Sequence, residues 1–421
     1  MSKLIINGPL KLHGEIEVKG AKNAALKFIP ASILSKQRMT ITNLPDIEDV
    51  RKSLELITNL GGSVKFGKNQ CEIDTKKIGT IKLDKAIAQK LRASIMFVGP
   101  LLARTGEAVF PMPGGCNLAS GAQRPIDLFI DGFQKFGAEI IEHDGLYHLR
   151  AKTLKACEYF FSTVSVTATE SMMMTAVLAN GTTTLKNCAM EPEIVALAEY
   201  LNTQGAKIEG AGTPTITIKG VKKISAGSAK LIPDRIETGT FAIMAAATKS
   251  ELTIKNCNPD HIEILLTIFQ KQGVRFETGK NWLKILPSKN IRPYNIKTHE
   301  YPGFPTDLQA PYTVLMTQAK GSSIIQEIIY DRRLMYSDML MQMGADIIMC
   351  DPHRIVVNGP TKLNGKKLTS PDLRAGIAMI IAGLIAEGRT EIDNIYQIDR
   401  GYENIENRLK LIGADIERID S

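Results

Sequence analysis

Six stretches of the chain are apolar around the whole circumference of a helix rather than along one face. They consist mainly of small and aliphatic residues and contain very few polar side chains. A surface helix would carry a polar face, so this pattern predicts helices that are buried on all sides. The six predicted helices cover residues 23–34, 93–103, 169–179, 238–247, 308–319 and 373–386.

The same order of elements follows each buried helix. First comes a β-run, meaning a short stretch of residues that favours a strand. A loop and an amphipathic helix such as 47–60 or 192–204 follow, and then two further β-runs. The first β-run of each set covers residues 39–41, 108–110, 183–185, 252–254, 323–325 and 390–392. The repeated order α, β, α, β, β predicts an α/β fold with helices inside and sheets outside.

A glycine marks the end of each amphipathic helix. The residues that follow these glycines are 62, 138, 206, 274, 345 and 414, at intervals of 76, 68, 68, 71 and 69 residues. Glycine adopts positive φ at little cost and commonly ends a helix in this way. The steady interval indicates six copies of one structural unit.

Six copies divide naturally into two domains of three repeats. Residues 4–18 precede the first complete copy, and we expect them to form a strand that pairs with the last repeats. The expected domains are residues 21–231 and, discontinuously, residues 1–20 with 232–421. A cleft between two such domains is the expected ligand site.

Length and composition agree with a multidomain protein. A chain of 421 residues exceeds the size at which one core usually keeps growing. The first twenty residues mix charged with apolar side chains, unlike a signal peptide. The longest apolar run, 377–386, is shorter than the roughly 20 residues that span a bilayer. We therefore expect a cytoplasmic protein without a membrane span.

The six cysteines are dispersed along the chain. None forms a C-x-x-C pair, and no histidine lies near one at zinc-finger spacing. We therefore expect reduced thiols, no disulfides and no structural metal. No cofactor is expected either. Nothing in the sequence requires an oligomer.

The net charge of +8 has two interpretations, a surface charge that keeps the protein soluble or a site for an anionic ligand. Nucleic acid is not the expected partner, because no run of five Lys or Arg occurs and aromatic residues make up only 6% of the chain. A non-catalytic, basic repeat protein that binds nucleic acid remains an alternative. It would be recognised by binding that weakens steeply with salt.

Charged residues cluster where the buried helices begin. Lys22, Arg92, Arg235 and Arg374 all lie at this edge. Helix N-termini carry unpaired N–H groups and partial positive charge, so several such ends together would bind an anion. Asp234 and Asp372 occupy the same edge, where they can act as N-caps.

The loop from residue 111 to 125 differs from its counterparts in the other repeats. It is the longest, and it contains three prolines, three glycines, Cys116 and Arg124. An exposed loop of this composition is typical of a lid over a site. Nearby cations and helix ends would favour the thiolate of Cys116, which indicates a reactive group.

Nine motifs, in order along the chain, resemble those of the UDP-N-acetylglucosamine 1-carboxyvinyltransferases, which belong to the enolpyruvyl transferase family. The resemblance runs from residue 1 to about 419. It implies two inverse α/β barrels of three repeats each, the enolpyruvyl transferase fold. The motifs begin at Lys22, Arg92, Pro113, Arg124, Glu191, Pro233, Phe304, Asp372 and Asp399.

The resemblance also implies a reaction and roles for individual residues. The reaction adds the 3′-hydroxyl of UDP-N-acetylglucosamine to C2 of phosphoenolpyruvate and then eliminates phosphate, which opens peptidoglycan synthesis. Cys116 would protonate C3 and form a covalent phospholactoyl adduct, and Asp307 would act as the base near the 3′-hydroxyl. Lys22, Arg124 and Arg400 would clamp phosphoenolpyruvate.

Binding roles are carried over in the same way. Asn23 and Cys116 would join the clamp in contacting phosphoenolpyruvate. The residues implied in UDP-N-acetylglucosamine binding are Asn23, Arg92, Arg124, Pro125, Ile126, Asp127, Leu128, Thr163, Val164, Ser165, Val166, Asp307 and Ile329. The residues implied in support of the site are Glu191, Asp234, Arg333, Asp372 and Arg374.

The chain departs from the common family pattern in a few places. Seven residues, 117–123, separate Cys116 from Arg124, where four are usual, and Thr163, Thr167 and Met190 replace the common Lys, Gly and Arg. Two further alternatives stay open. One is the shikimate-pathway enolpyruvyl transferase, which shares the fold but uses no catalytic Cys, so the Cys116 loop argues against it. The other is a paralogue with altered activity, which the longer loop keeps open.

Overall fold

The six buried helices form as the apolar pattern predicts. The computed structural model describes residues 2–114 and 126–420. Within these ranges the helices are Lys22–Ala31, Val98–Thr105, Val166–Ala176, Arg235–Ala247, Gln309–Met316 and Leu373–Ile385. Three carry an adjoining 3₁₀ turn, namely Ser32–Leu34, Arg92–Phe97 and Thr306–Leu308. Nearly all of their side chains are buried, which confirms that they are core rather than surface elements.

The second helix of each repeat packs one face against this core, and the expected glycine follows its end. These helices are Glu48–Asn59, Asp127–Lys135, Pro192–Thr203, Glu263–Gln272, Ser337–Gln342 and Ile405–Leu411. The six glycines after them have φ between 78° and 103°. Because an L side chain rarely adopts this conformation, glycine is required at this point in every repeat. Three short turns, Lys85–Ala88, Pro259–Ile262 and Tyr396–Asp399, complete the helical elements of the described residues.

The described strands form six separate sheets, one for each repeat, with no closed barrel among them. Five of the sheets add one parallel strand to antiparallel strands, which confirms the repeat. In the first three repeats the strands, in spatial order, are Ser228–Lys230, Met39–Thr42, Gln70–Asp74 and Ser63–Gly67; Glu107–Pro111, Leu146–Arg150 and Glu139–His143; and Ile208–Glu209, Thr215–Lys219, Thr182–Lys186 and Glu158–Phe160. In the last three repeats they are Arg275–Gly279, Trp282–Leu286, Leu252–Lys255 and Glu15–Glu17; Ile296–Lys297, Gly321–Gln326, Arg354–Gly359 and Asp346–Asp351; and Lys367–Thr369, Gly388–Asp393, Lys3–Gly8 and Ile416–Ile419.

The prediction of one strand over residues 4–18 is wrong in its extent. Two strands form, and they enter two different sheets. Lys3–Gly8 pairs antiparallel with strands of the last repeat, and Glu15–Glu17 pairs parallel with Leu252–Lys255 of the fourth. Pro9 has no N–H to continue a ladder, and Gly14 turns the chain at φ 90°. The predicted pairing with the last repeats is confirmed for the first strand.

The chain separates into two compact units, each with its own apolar core. Residues 20–114 and 126–232 make up the first unit, and residues 2–19 and 233–420 the second. Among the described residues, every helix falls short of the length and apolarity that a membrane crossing requires.

Candidate functional site

Two predicted site residues of the second unit cap buried helices. Asp234 accepts hydrogen bonds from the N–H groups of Ile236, at 2.8 Å, and Glu237, at 3.0 Å. Asp372 does the same for the N–H groups of Arg374 and Ala375, at 2.8 and 3.0 Å. The N-cap reading of both residues is confirmed. They fix the helix starts from which the neighbouring cations project.

Asp307 lies in the 3₁₀ turn that begins the buried helix Gln309–Met316, and two arginines contact its side chain. Its two carboxylate oxygens each accept one hydrogen bond of 2.7 Å, from Arg333 and Arg374. The arginine side chains are only 9% exposed and that of Asp307 is 23% exposed. Burial opposes ionisation, but the charges of Arg374 and Arg333 outweigh it and hold the pKa of Asp307 well below its usual range. Asp307 is therefore ionised at neutral pH.

Glu327, which sequence analysis missed, fixes the segments around Asp307 through hydrogen bonds to its carboxylate. Its buried carboxylate accepts hydrogen bonds from the hydroxyl of Thr306, at 2.7 Å, and from the N–H groups of Ile329 and Tyr330, at 2.8 and 3.1 Å. Thr306 also accepts a 2.7 Å bond from Arg333. One carboxylate thus fixes both the turn that carries Ile329 and the helix start that carries Asp307. A lone glutamate at the end of a β-run gives no sequence signal for this role.

Arg400 lies at the end of the short helix Tyr396–Asp399 and is only 6% exposed. It donates a 3.1 Å hydrogen bond to the side chain of Gln397. Two residues further on, the hydroxyl of Tyr402 accepts a 3.4 Å bond from Arg374 and lies 3.0 Å from the hydroxyl of Thr240. Tyr402 therefore connects the segment that carries Arg400 to Arg374, which binds Asp307.

In the first unit, Lys22 is the first residue of a buried helix and Asn23 follows it. The ammonium of Lys22 lies 2.8 Å from a carboxylate oxygen of Asp49, a partner that sequence analysis missed. Asp49 belongs to the first turn of the next helix, Glu48–Asn59, where acidic residues are common. Arg92 opens the 3₁₀ turn Arg92–Phe97 and is half-buried.

Most of the described residues implied in UDP-N-acetylglucosamine binding lie on two short segments of the first unit. Thr163 and Val164 precede Ser165, whose hydroxyl caps the helix that starts at Val166 by accepting a 3.3 Å bond from Ala168. Ile126 precedes the helix that begins with Asp127 and Leu128. The hydroxyl of Tyr159 donates a 3.2 Å bond to the carbonyl of Leu128, which ties the second segment to the strand Glu158–Phe160 that precedes the first. Glu191 lies at the start of the helix Pro192–Thr203. Cys116, Arg124 and Pro125 lie outside the described residues.

A buried polar contact lies one turn below these helix starts. Lys27 and Glu170 are 5% and 0% exposed, and the ammonium lies 3.2 Å from a carboxylate oxygen. Burial raises the pKa of Glu170 to about 8, Lys27 opposes this, and Glu193 and Glu191 add to it. The sequence carries no clear signal for the contact, because each residue is a charged position within a helix that is otherwise mostly buried.

The raised pKa of Glu170 predicts how stability depends on pH. Folded Glu170 binds its proton more tightly than the unfolded residue, whose pKa is near 4.5, so stability should fall as pH rises from about 5 to about 8. The loss is about 1.4 kcal/mol for each pH unit at most. Glutamine at position 170 cannot ionise. As pH rises through this range, the thermal midpoint of Glu170→Gln should therefore rise relative to that of the wild type. Calorimetry at several pH values measures the difference. Parallel curves would contradict the prediction, and Glu158→Gln, at an exposed position, is the matched control.

Comparison with known proteins agrees with this layout. A family model described as EPSP synthase (3-phosphoshikimate 1-carboxyvinyltransferase) matches residues 6–409. A protein of Carboxydothermus hydrogenoformans named UDP-N-acetylglucosamine 1-carboxyvinyltransferase 1 is 43% identical and covers 100% of this chain and 99% of its own length. A protein of Geobacillus kaustophilus named UDP-N-acetylglucosamine 1-carboxyvinyltransferase 2 is 44% identical, with 99% and 97% covered.

Solved structures share the fold at lower identity. The enolpyruvyl transferase NikO from Streptomyces tendae aligns with a TM-score of 0.90 and 23% identity over 100% of this chain and 99% of its own. EPSP synthase from Acinetobacter baumannii aligns with a TM-score of 0.74 and 17% identity over 100% of both chains. These likenesses confirm the predicted enolpyruvyl transferase fold. The family model and the full-length relatives show that the chain belongs to the enolpyruvyl transferase family and, within it, to the UDP-N-acetylglucosamine 1-carboxyvinyltransferases.

Proposed function

We propose that the protein transfers the enolpyruvyl group of phosphoenolpyruvate to the 3′-hydroxyl of UDP-N-acetylglucosamine with release of phosphate. The observation that carries the proposal is the ionised carboxylate of Asp307, oriented by Arg333 and Arg374 at the start of a buried helix. A fixed carboxylate among cations is what the reaction needs, because a hydroxyl proton must be removed beside an anionic substrate. The reaction would supply a precursor of peptidoglycan in the cytoplasm.

The chemistry proceeds by addition and elimination. Asp307 accepts the proton of the 3′-hydroxyl as the oxygen bonds to C2 of phosphoenolpyruvate, and Cys116 donates a proton to C3. Loss of a proton from C3 then re-forms the double bond as the C2–O bond to phosphate breaks. The residues assigned here hold and move protons, and no metal or cofactor enters any step.

The ion pairs of Asp307 limit its strength as a base. General-base catalysis works best when the pKa of the base lies near the operating pH, whereas two arginines hold that of Asp307 far lower. An anionic substrate would compete with Asp307 for these guanidinium groups. As the pairing weakens, the pKa of Asp307 rises toward the useful range, so substrate binding itself activates the base.

The cations have the complementary role. Lys22, Arg124 and Arg400 would hold the phosphate and carboxylate of phosphoenolpyruvate. Because Lys22 is paired with Asp49 at 2.8 Å, the substrate anion would share or replace that carboxylate. Asn23, Arg92, the segments 125–128 and 163–166, and Ile329 would contact the UDP-sugar.

A coupled assay tests the proposal directly. Phosphate release should require both phosphoenolpyruvate and UDP-N-acetylglucosamine, and mass spectrometry should find the sugar nucleotide enlarged by one enolpyruvyl group. The same assay with shikimate 3-phosphate as acceptor separates the shikimate-pathway reaction. Phosphate release with shikimate 3-phosphate but not with UDP-N-acetylglucosamine, or release without either acceptor, would overturn the proposal.

Removing Arg400 should weaken the use of phosphoenolpyruvate. Loss of one partner of a desolvated charge pair costs about 2–5 kcal/mol, so kcat/KM for phosphoenolpyruvate should fall roughly 30-fold or more in Arg400→Ala. Steady-state kinetics with each substrate varied in turn measures the effect. Arg389→Ala removes an exposed arginine of the same unit and should change nothing. An unchanged dependence on phosphoenolpyruvate in Arg400→Ala would remove Arg400 from the site.

A further inference from the structure

The Lys27–Glu170 contact joins two helices of the first unit that begin with predicted substrate-binding residues. Lys27 lies four residues after Asn23, on the same face of the helix Lys22–Ala31. Glu170 lies four residues after Val166, the first residue of the helix Val166–Ala176. The ammonium and a carboxylate oxygen lie 3.2 Å apart, and both side chains are buried. The contact therefore connects the two helices one turn below their ends.

A third helix encloses the contact. The helix Pro192–Thr203 packs against both of the others, and Glu193 in its first turn is 2% exposed. Its negative charge and that of Glu191 act on Glu170, so all three helix starts share one buried electrostatic cluster. Apolar contacts also join these helices, including a stacked pair of Phe28 and Tyr200 with ring centroids 5.0 Å apart.

Stability alone does not explain a buried charged residue at this position. Moving a lysine and a glutamate out of water is costly, and well-packed apolar side chains of similar volume usually hold two helices together at least as firmly. What a close contact between one ammonium and one carboxyl group adds is a preferred register and distance between the helices. At this place, that distance separates Lys22 and Asn23 from residues 163–166.

We propose that Lys27 and Glu170 are positioning residues, which set the placement of the phosphoenolpyruvate-binding helix end relative to the UDP-sugar-binding helix end. The inference rests on the proposed function, since it takes the two substrates from there. Each helix end keeps its own binding groups without the contact. Only their relative placement is lost, and a misplacement of about 1 Å can cost about 100-fold in rate.

The double variant Lys27→Met with Glu170→Met tests this. It removes the polar contact without leaving a buried charge alone. We expect kcat to fall about 10- to 100-fold. The dissociation constant of UDP-N-acetylglucosamine, titrated in the absence of phosphoenolpyruvate, should stay within about threefold of the wild type. Glu170→Gln keeps an oxygen that can accept from Lys27, so its kcat should stay within about threefold of the wild type at pH 7.

Controls separate positioning from folding and from the proposed function. Replacing the exposed pair Lys186 and Glu158 by methionine, in the same unit, should leave kcat unchanged. Wild-type kcat in the double variant, a loss in Glu170→Gln equal to that in the double variant, or a double variant that does not fold would each overturn the inference. Failure of the wild type to release phosphate would instead overturn the proposed function, and it would be seen before any variant is made.

Discussion

Asp307→Ala should lower kcat by about 10²- to 10⁴-fold, the usual cost of losing a general base. The carboxylate is the acidic group that both Arg333 and Arg374 orient, at 2.7 Å each. Alanine offers no acceptor for the 3′-hydroxyl proton. Asp307→Glu should leave a little activity, because its carboxylate remains but is displaced by one methylene group. Rapid-quench measurement of the chemical step, with both substrates saturating, gives the effect on kcat directly.

Binding and stability must be measured alongside the rate. Loss of one hydrogen bond to the sugar should weaken UDP-N-acetylglucosamine binding by less than about tenfold. Removing Asp307 also leaves two arginines, each 9% exposed, without that carboxylate, which should destabilise the second unit.

Glu237→Ala is the matched control for this cost. Glu237 is a buried carboxylate bound by Arg408 at 2.6 and 3.0 Å in the same unit. Glu237→Ala should lower the thermal midpoint but leave kcat per folded molecule unchanged. Near-normal kcat in Asp307→Ala, or a loss no greater than in Glu237→Ala, would contradict the assignment of Asp307 as the base.

The fold could be predicted largely because the repeat makes local signals reinforce one another. Six apolar helices and six glycines at a steady interval agree on one unit, and every one of those glycines has positive φ. The N-terminal strand was harder to predict, because it lies outside the repeats. Its division into Lys3–Gly8 and Glu15–Glu17 depends on partners more than 200 residues away, which no local pattern encodes.

Some residues of the candidate site could likewise be predicted from the sequence, and others only from the structure. The motifs contain Asp307 and Arg374, and the family resemblance separately implies Arg333, but only the structure places both arginines on one carboxylate. Asp49, Glu327 and Glu170 act through side chains that are distant in sequence. An isolated acidic residue in a helix or at the end of a strand looks like many surface residues. Long-range polar contacts of this kind are where reasoning from sequence alone stops.

Cys116 should be the cysteine whose modification inactivates the enzyme. Cys116 lies outside the described residues, so this prediction rests on its sequence setting and the family resemblance. The other thiols differ in their reactivity. Cys71, Cys188 and Cys257 are buried, and burial raises their pKa values to about 12, 12 and 11. Thiols with such values present almost no thiolate at neutral pH, and the thiolate is the nucleophile.

Two further thiols need separate treatment. Cys157 is half-buried, and burial raises its pKa to about 11, so it should react slowly. Cys350 is exposed and can be alkylated by any small reagent, although it lies on the strand Asp346–Asp351, away from the motifs. Labelling is therefore best carried out in Cys350→Ser, which should keep full activity and serve as the matched control.

An epoxide phosphonate that resembles phosphoenolpyruvate, such as fosfomycin, is the sharpest reagent for the test. The thiolate of Cys116 should attack an epoxide carbon, forming a C–S bond as the C–O bond opens, and UDP-N-acetylglucosamine should accelerate the reaction. Cys116→Ser should resist the reagent and lose most activity. Cys116→Asp should resist it and remain active, because a carboxylic acid can still protonate C3. Peptide mapping after inactivation decides the outcome. Loss of activity with label on any other cysteine and none on Cys116, or full activity in Cys116→Ala, would overturn the role of Cys116 as the proton donor.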